Sequence, residues 1–357
     1  METLKTGKAF KTILICMFFL LFLSFSSDAA EIADRVAECA KIKDDAAARL
    51  ECFDNLAKQQ TPMKDASPTA SAATAEVPKK LSIMEKQWDL YPEKEKGIFA
   101  LKPYRPNYFL PVAYNSSPND NTALDFDPQA KAQHNEVKFQ LSFKVKPFGI
   151  DLDDTKPIKG IDLWLAYTQL SFWQLYNSAF SSPFRDTNYE PELLVNFRTL
   201  YEIPGLTGTK LQFFNVGFNH QSNGRSKPIS RSWNRIVANV GLEKDNFNLL
   251  LKAWYRIPEN EVNDDNPYIT RYLGYGELCG IYYWKGHRFA ATLRNNLRSE
   301  NLGAVQLDWS IPMSLIWEKL DNFSFYLQYF NGYGESLLDY NTSINRISAG
   351  VMLVDWN

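Results

Sequence analysis

From Tyr104 onward, apolar and polar side chains alternate in stretches of about ten residues separated by turn-forming residues. Candidate strands fall near 104–114, 135–147, 159–174, 189–203, 209–220, 231–244, 246–257, 268–284, 286–298, 302–312, 322–332 and 344–356, twelve in all. The stretch 302–312 shows the pattern well. Leu302, Ala304, Gln306, Asp308 and Ser310 share one parity, and Gly303, Val305, Leu307, Trp309 and Ile311 share the other. Successive side chains of a strand point to opposite faces, so one face of this strand is apolar and the other mostly polar. An even number of such strands, each with about 21 residues of strand plus connection, suits a closed antiparallel barrel with lipid outside and polar groups within. The pattern therefore predicts an all-β fold, a 12-stranded antiparallel transmembrane β-barrel over residues 100–357. Aromatics near strand ends (Trp164, Trp173, Tyr282, Trp284, Tyr329, Tyr333) are expected to form interfacial girdles. A soluble sandwich would need both sheets to hide their aromatic faces, and no sandwich-specific spacing is present.

The first hundred residues read differently. Lys5, Lys8 and Lys11 precede an apolar core at 12–25, and Ser27-Asp28-Ala29 offers a small-x-small cleavage site, so residues 1–29 read as a secretory signal. Residues 30–60 read as a short helical segment, and Cys39 and Cys52 within it are expected to form a disulfide after export. Residues 61–80 are rich in Ala, Pro, Ser and Thr, and the whole interval 61–99 is read as a disordered linker.

Composition narrows the function classes. The chain after the signal has no run of 18 apolar residues, so no helical membrane span is expected. The mean hydropathy of −0.34 does not argue against a barrel, whose alternating strands hide their apolar face from an average. A net charge of −2 without a basic patch gives no reason to expect nucleic acid as a partner. With three histidines, a His-based metal centre is not expected, and Cys279 reads as a small apolar filler in a strand.

The candidate chemistry lies in two consecutive strands. Gln212, Phe214, Val216, Phe218, His220 and Ser222 share the more apolar parity of the first, and Asn234, Ile236, Ala238, Val240 and Leu242 that of the second. A hairpin folded at Lys227 sets His220 opposite Asn234 and Ser222 opposite Ser232, with Cβ atoms about 5 Å apart. Ser222, His220 and Asn234 then make a nucleophile, a base and a group that holds the base. A serine hydroxyl attacks well only when an imidazole takes its proton, and the imidazole needs an acceptor on its other nitrogen. An asparagine oxygen supplies that acceptor without setting a bare carboxylate beside lipid.

The run His220-Gln221-Ser222-Asn223-Gly224-Arg225-Ser226, followed by Ser230-Arg231-Ser232-Trp233-Asn234-Arg235, resembles the signature of the outer membrane phospholipase A family. Three further blocks match in order: Ser181-Ser182-Pro183-Phe184-Arg185-Asp186-Thr187-Asn188-Tyr189-Glu190-Pro191, Asp264-Asp265-Asn266-Pro267, and Gly332-Tyr333-Gly334-Glu335-Ser336-Leu337. The resemblance covers roughly residues 100 to 357 and implies an outer-membrane, calcium-dependent phospholipase, active as a homodimer on membrane phospholipids. It implies Ser222 as nucleophile, His220 as general base and acid, Asn234 as the group holding His220, and the Gly224 backbone N–H at the oxyanion. It also implies Ca2+ held by the carbonyls of Arg225 and Ser230 with Ser181 from a second subunit, and Gln169 in the dimer interface. Asp265 matches an acidic residue of a second calcium position. Lys227 stands where relatives can carry an aspartate, which argues against that position here. The alternative is a non-enzymatic outer-membrane barrel, a channel or a structural protein, which would have no reason to keep His220, Ser222 and Asn234 together on a lipid face.

Overall fold

The computed structural model describes residues 52, 81–91, 99–120, 132–153, 155–180, 183–262 and 264–353. The signal, the 30–60 segment with its Cys39–Cys52 pairing (Cys52 apart) and Ser181 lie outside the described residues. The chain divides into units Met1–Val77 and Pro78–Asn357, and the second carries everything below.

After a two-residue strand β1 (Lys102–Pro103) come β2 (Asn107–Asn115), β3 (Asn135–Asp151), β4 (Gly160–Trp173), β5 (Phe184–Glu202), β6 (Lys210–Ser222) and β7 (Ser232–Lys244). The second half contains β8 (Phe247–Arg256), β9 (Gly276–Trp284), β10 (His287–Asn295), β11 (Gly303–Pro312), β12 (Phe323–Gly332) and β13 (Ile344–Leu353). Strands β2 to β13 each pair antiparallel with their sequence neighbours, and β13 pairs with β2 to close a 12-stranded barrel, with β1 added beside β3. Closure is what a bilayer demands, because an open edge would leave N–H and C=O groups in hydrocarbon. One predicted strand differs: the first part of 268–284 is a helical turn, α2 (Ile269–Leu273), with Ile269 and Leu273 buried. Gly274, at φ +68°, ends it and lets the chain turn into β9.

The two parities separate as expected over most strands. Leu141, Leu165, Leu193, Phe218, Ile236 and Leu307 are exposed on the outer face. Inside, Asn239 donates to Asn215 at 2.6 Å, Asn215 to Asn196 at 3.4 Å, and Asn196 to Asp162 at 3.3 Å. Arg105, Arg235 and Lys252 surround Glu190 and Glu192, while Arg185 and Arg346 share Glu136 and Lys138 joins Arg346 on Glu335. Each buried charge in these clusters meets an opposite one, which offsets the cost of removing it from water. These groups leave a cavity of about 320 Å³, lined by Arg105, Glu190 and Lys252 among others.

Two expectations fail, one for a local reason and one for a distant contact. Gln212 points inward, 1% exposed, and donates to Glu243, because the β6–β7 register shifts between Leu211 and Phe213. That irregularity reverses the faces before the His220–Ser222 end of β6. Trp164 is no girdle residue: it is fully buried and shares its parity with the inward Asp162 and Thr168. Cys279, a free thiol, lines the cavity rather than filling an apolar gap.

Trp164 faces inward to meet a segment read from sequence as part of the 61–99 linker. Residues 83–87 form a short helix, α1 (Ile83–Gln87), opened by a capping box in which Ser82 and Glu85 satisfy each other's backbone N–H groups. Its neighbour Trp88 lies 4.3 Å from Phe213 and 5.9 Å from Trp164 between ring centroids, with the Lys144 ammonium 3.0 Å from its ring centre. Ser82 donates to Glu243, Gln87 to the Tyr104 carbonyl, and Asp89 pairs with Lys102. Met84, Trp88 and Leu90 are thus buried in the core, where a linker composition gives no hint of burial. Trp88→Ala should lower the stability of the folded barrel by about 3 kcal/mol, the cost of truncating a buried tryptophan. A lowered urea midpoint with unchanged strand circular dichroism is the expected result, and an unchanged midpoint would show that the segment does not brace the barrel.

Candidate active site

Residues 223–231, 257–268 and 333–343 connect strands at one end of the barrel, and the β6–β7 hairpin carries its functional groups there. The register sets His220 opposite Asn234 and Ser222 opposite Ser232, as the fold at Lys227 requires. All three candidate side chains share the outer face with Phe218 and Ile236 and are half-buried. The imidazole Nδ1 lies 2.8 Å from the Asn234 side-chain oxygen. An amide oxygen can only accept, so Nδ1 carries the proton and Nε2 is left basic. Ser222 follows two positions along on the same face, so the hydroxyl and the imidazole both stand on the outer wall of the barrel.

The loop from Ser222 to Ser232 is organised by a residue that sequence reading passed over. Asn223, 3% exposed, accepts from the backbone N–H groups of Arg225 at 3.3 Å and Arg231 at 2.9 Å, and donates to the Ile229 carbonyl at 2.9 Å. An asparagine that caps its own turn beside a glycine is a recognisable signal, though it reads equally as an ordinary loop residue. Gly224 follows at φ +62°, and a Cβ there would lie 3.1 Å from the Tyr189 ring, so backbone conformation and crowding both favour glycine.

Of the residues that the resemblance assigns to calcium, Arg225, Ser230 and Asp265 lie on this loop and its neighbour. The Arg225 guanidinium donates to the Phe184 carbonyl at 2.7 Å. Ser230 donates its hydroxyl to Asp265 at 2.5 Å, and its carbonyl accepts from the Arg231 guanidinium at 2.6 Å. Lys227 places its ammonium 3.5 Å from the other Asp265 oxygen and donates to the Val262 carbonyl at 3.1 Å. Asp265 is therefore already engaged by a hydroxyl and a tethered cation, which is the physical reason it is poorly suited to a calcium of its own. Ser181 falls outside the described residues. Among the described residues no cluster of three His, Cys, Asp or Glu side chains offers a metal site. Asn266, fully buried, accepts from the Ser232 N–H at 3.0 Å and so ties 257–268 to the hairpin. Gln169 lies away from this cluster on the outer face of β4, between Tyr167 and Ser171 and hydrogen-bonded to both at 3.2 Å.

The other sequence blocks prove to be stitching. Asn188 and Asp186 of β5 accept from the backbone N–H groups of Leu337 and Leu338, at 2.9 and 3.0 Å. Arg185 pairs with Asp339 and Glu136, and Glu335 with Lys138 and Arg346. The blocks around 185 and 335 therefore meet in space, folding 333–343 against β5 with Leu337, Leu338 and Tyr340 buried.

Residues 84–353 match the family model described as phospholipase A1. Phospholipase A1 of Klebsiella pneumoniae is 38% identical over 257 residues, covering 72% of this chain and 83% of that protein. The phospholipase A1 of Escherichia coli K12 is 38% identical over 263 residues, covering 74% and 84%.

The chain belongs to the phospholipase A1 family.

Solved structures of the family agree in fold. The outer membrane phospholipase A from Escherichia coli superimposes with a TM-score of 0.63 at 38% identity, covering 72% of this chain and all of that one. An active-site mutant of that protein, with an asparagine changed to alanine, gives a TM-score of 0.65 at 35% identity, covering 77% and 99%. The Salmonella typhi outer membrane phospholipase, a dimer with bound calcium, gives 0.64 at 36% identity, covering 76% and 98%.

If Asn223 holds the 223–231 loop, Asn223→Ala should expose the N–H groups of Arg225 and Arg231 to exchange. Asn223→Asp, which keeps the accepting oxygen and loses only the donor to Ile229, should expose them less. Amide hydrogen exchange of the barrel in micelles reads both, and equal protection in all three proteins would show that the loop is held by other contacts.

Proposed function

We propose that the chain is an outer-membrane phospholipase that hydrolyses acyl ester bonds of glycerophospholipids, including both diacyl positions and lysophospholipids. The observation that carries this reading is the His220 Nδ1–Asn234 hydrogen bond of 2.8 Å beside Ser222 on the lipid-facing surface. Family membership supports the same reaction class. A lumen-facing set could not reach an acyl ester, and a channel would gain nothing from a polar trio held against lipid.

Ser222 attacks the ester carbonyl while His220 Nε2 takes its proton. Asn234 holds the ring by its oxygen, so the imidazolium is stabilised in the orientation that later returns the proton to the departing alkoxide. Water then attacks the acyl-serine with His220 again as base. The Gly224 N–H donates to the developing oxyanion, and its positive φ allows the backbone to turn there.

Calcium fits the donors present. Carbonyl and hydroxyl oxygens are the ligands it prefers, and the Arg225 and Ser230 carbonyls with Ser181 of a second copy supply them. The Asp265 carboxylate adds negative charge at Ser230, and the Arg231 guanidinium that donates to the Ser230 carbonyl would have to swing aside for the cation. Bound there, the cation would stabilise negative charge on the ester oxygen. A homodimer of this kind brings Ser181 to the partner's site and gives Gln169, an amide on an apolar face, a partner across the interface. The calcium-bound dimer of the Salmonella relative supports both readings.

Refolded protein in phospholipid–detergent micelles should release acyl chains with calcium and lose that release with chelator. Ser222→Ala should lower the rate at least about a thousandfold while leaving the barrel folded. No release by correctly folded wild-type dimer would overturn the hydrolase reading.

A further inference from the structure

Asn234 has two ends, and the structure accounts for both. Its oxygen faces His220, and its amide nitrogen donates to the Glu259 carboxylate at 3.5 Å. Glu259 lies in the connection after β8, half-buried, close enough to reach back over the hairpin. Nearby Arg256 is spent elsewhere: it pairs with Asp264 at 2.6 Å and donates to the Pro267 carbonyl. Among the described residues Asn234 is therefore the hydrogen-bond partner of the Glu259 carboxylate. Burial pushes the Glu259 carboxyl above the usual carboxylate range, and Asp264 and Asp265 add to this against Arg256 and the Asn234 hydrogen bond.

The need for such a partner follows from the chemistry of an amide. A carboxylate behind a catalytic imidazole presents an acceptor whichever way it turns. An asparagine does not, because rotation by half a turn replaces its oxygen with an NH2 group. The flipped amide would donate to Nδ1, drive the ring proton to Nε2 and leave Ser222 facing a nitrogen that cannot accept. Something must therefore hold the amide with its nitrogen pointing away from His220. Resting on the serine-hydrolase reading above, we propose that Glu259 is a positioning residue that fixes the Asn234 amide so that its oxygen faces His220. A carboxylate at this remove also polarises the amide, making its oxygen a better acceptor as the imidazolium forms. It does so without sitting directly on the imidazole ring. The 3.5 Å separation is at the long end for a hydrogen bond, as catalytic contacts often are before substrate tightens them.

The test is a double-mutant cycle on acyl release in calcium-containing micelles. Glu259→Ala should lower kcat about tenfold with little change in KM, the loss expected when one hydrogen bond to a charged group goes. Glu259→Gln, which keeps an accepting oxygen without the charge, should recover most of that loss. In an Asn234→Ala background Glu259→Ala should change kcat less than twofold, because the amide it positions is gone. All variants should share the wild-type melting temperature. Wild-type kcat in Glu259→Ala, or an equal loss with Asn234 present and absent, would overturn the proposal while leaving the hydrolase reading intact. An inactive wild type would instead bring down the hydrolase reading and this proposal with it.

Discussion

Hydrocarbon offers no hydrogen bonds, and that absence organises the molecule. Every backbone N–H and C=O at membrane depth must pair within the protein, so the sheet closes through β13 and β2. The same constraint drives the side chains apart by parity. Leucine, phenylalanine and isoleucine face out, and the asparagine ladder and the charged clusters around Glu136, Glu190 and Glu335 face in. Those clusters make the interior a braced polar core, completed by Trp88 and its neighbours, rather than an open bore.

Against this background the active-site candidates are an exception with a purpose. His220, Ser222 and Asn234 place polar groups on a face that is otherwise mostly apolar, at the end of the barrel where the longer connections gather. His220 and Asn234 are tolerated there because each is hydrogen-bonded to the other. Asn234 binds His220 on one side and Glu259 on the other, Asn223 ties the loop behind Ser222, and Asn266 clamps the Ser232 backbone.

Lys227 and Asp265 join two of the connections at this end of the barrel. The ammonium lies 3.5 Å from the carboxylate and also reaches the Val262 carbonyl, so a tethered cation bridges the hairpin loop and the 257–268 connection. The cross-link between the two segments is thereby part of the chain itself.

Strand positions, the closed even-numbered barrel and the His220–Asn234 register were legible in the residues, because period-two alternation and a polar turn carry that information locally. The two misplaced side chains, Gln212 and Trp164, were not. One depends on a register shift between Leu211 and Phe213, and the other on a tryptophan arriving from 76 residues earlier in the chain, at Trp88. The burial of α1 was hidden for the same reason, since a short capped helix shows its worth only against the walls that receive it. The blocks around Arg185 and Glu335 are likewise far apart in sequence, and only folding shows that they bind each other. The sequence by itself determined which groups could do chemistry and on which face they would stand, because adjacency along and across a hairpin is a local property. Tertiary structure alone decided what steadies them, because Glu259, Asn266 and the inner ion pairs reach their partners across connections whose paths no local pattern specifies.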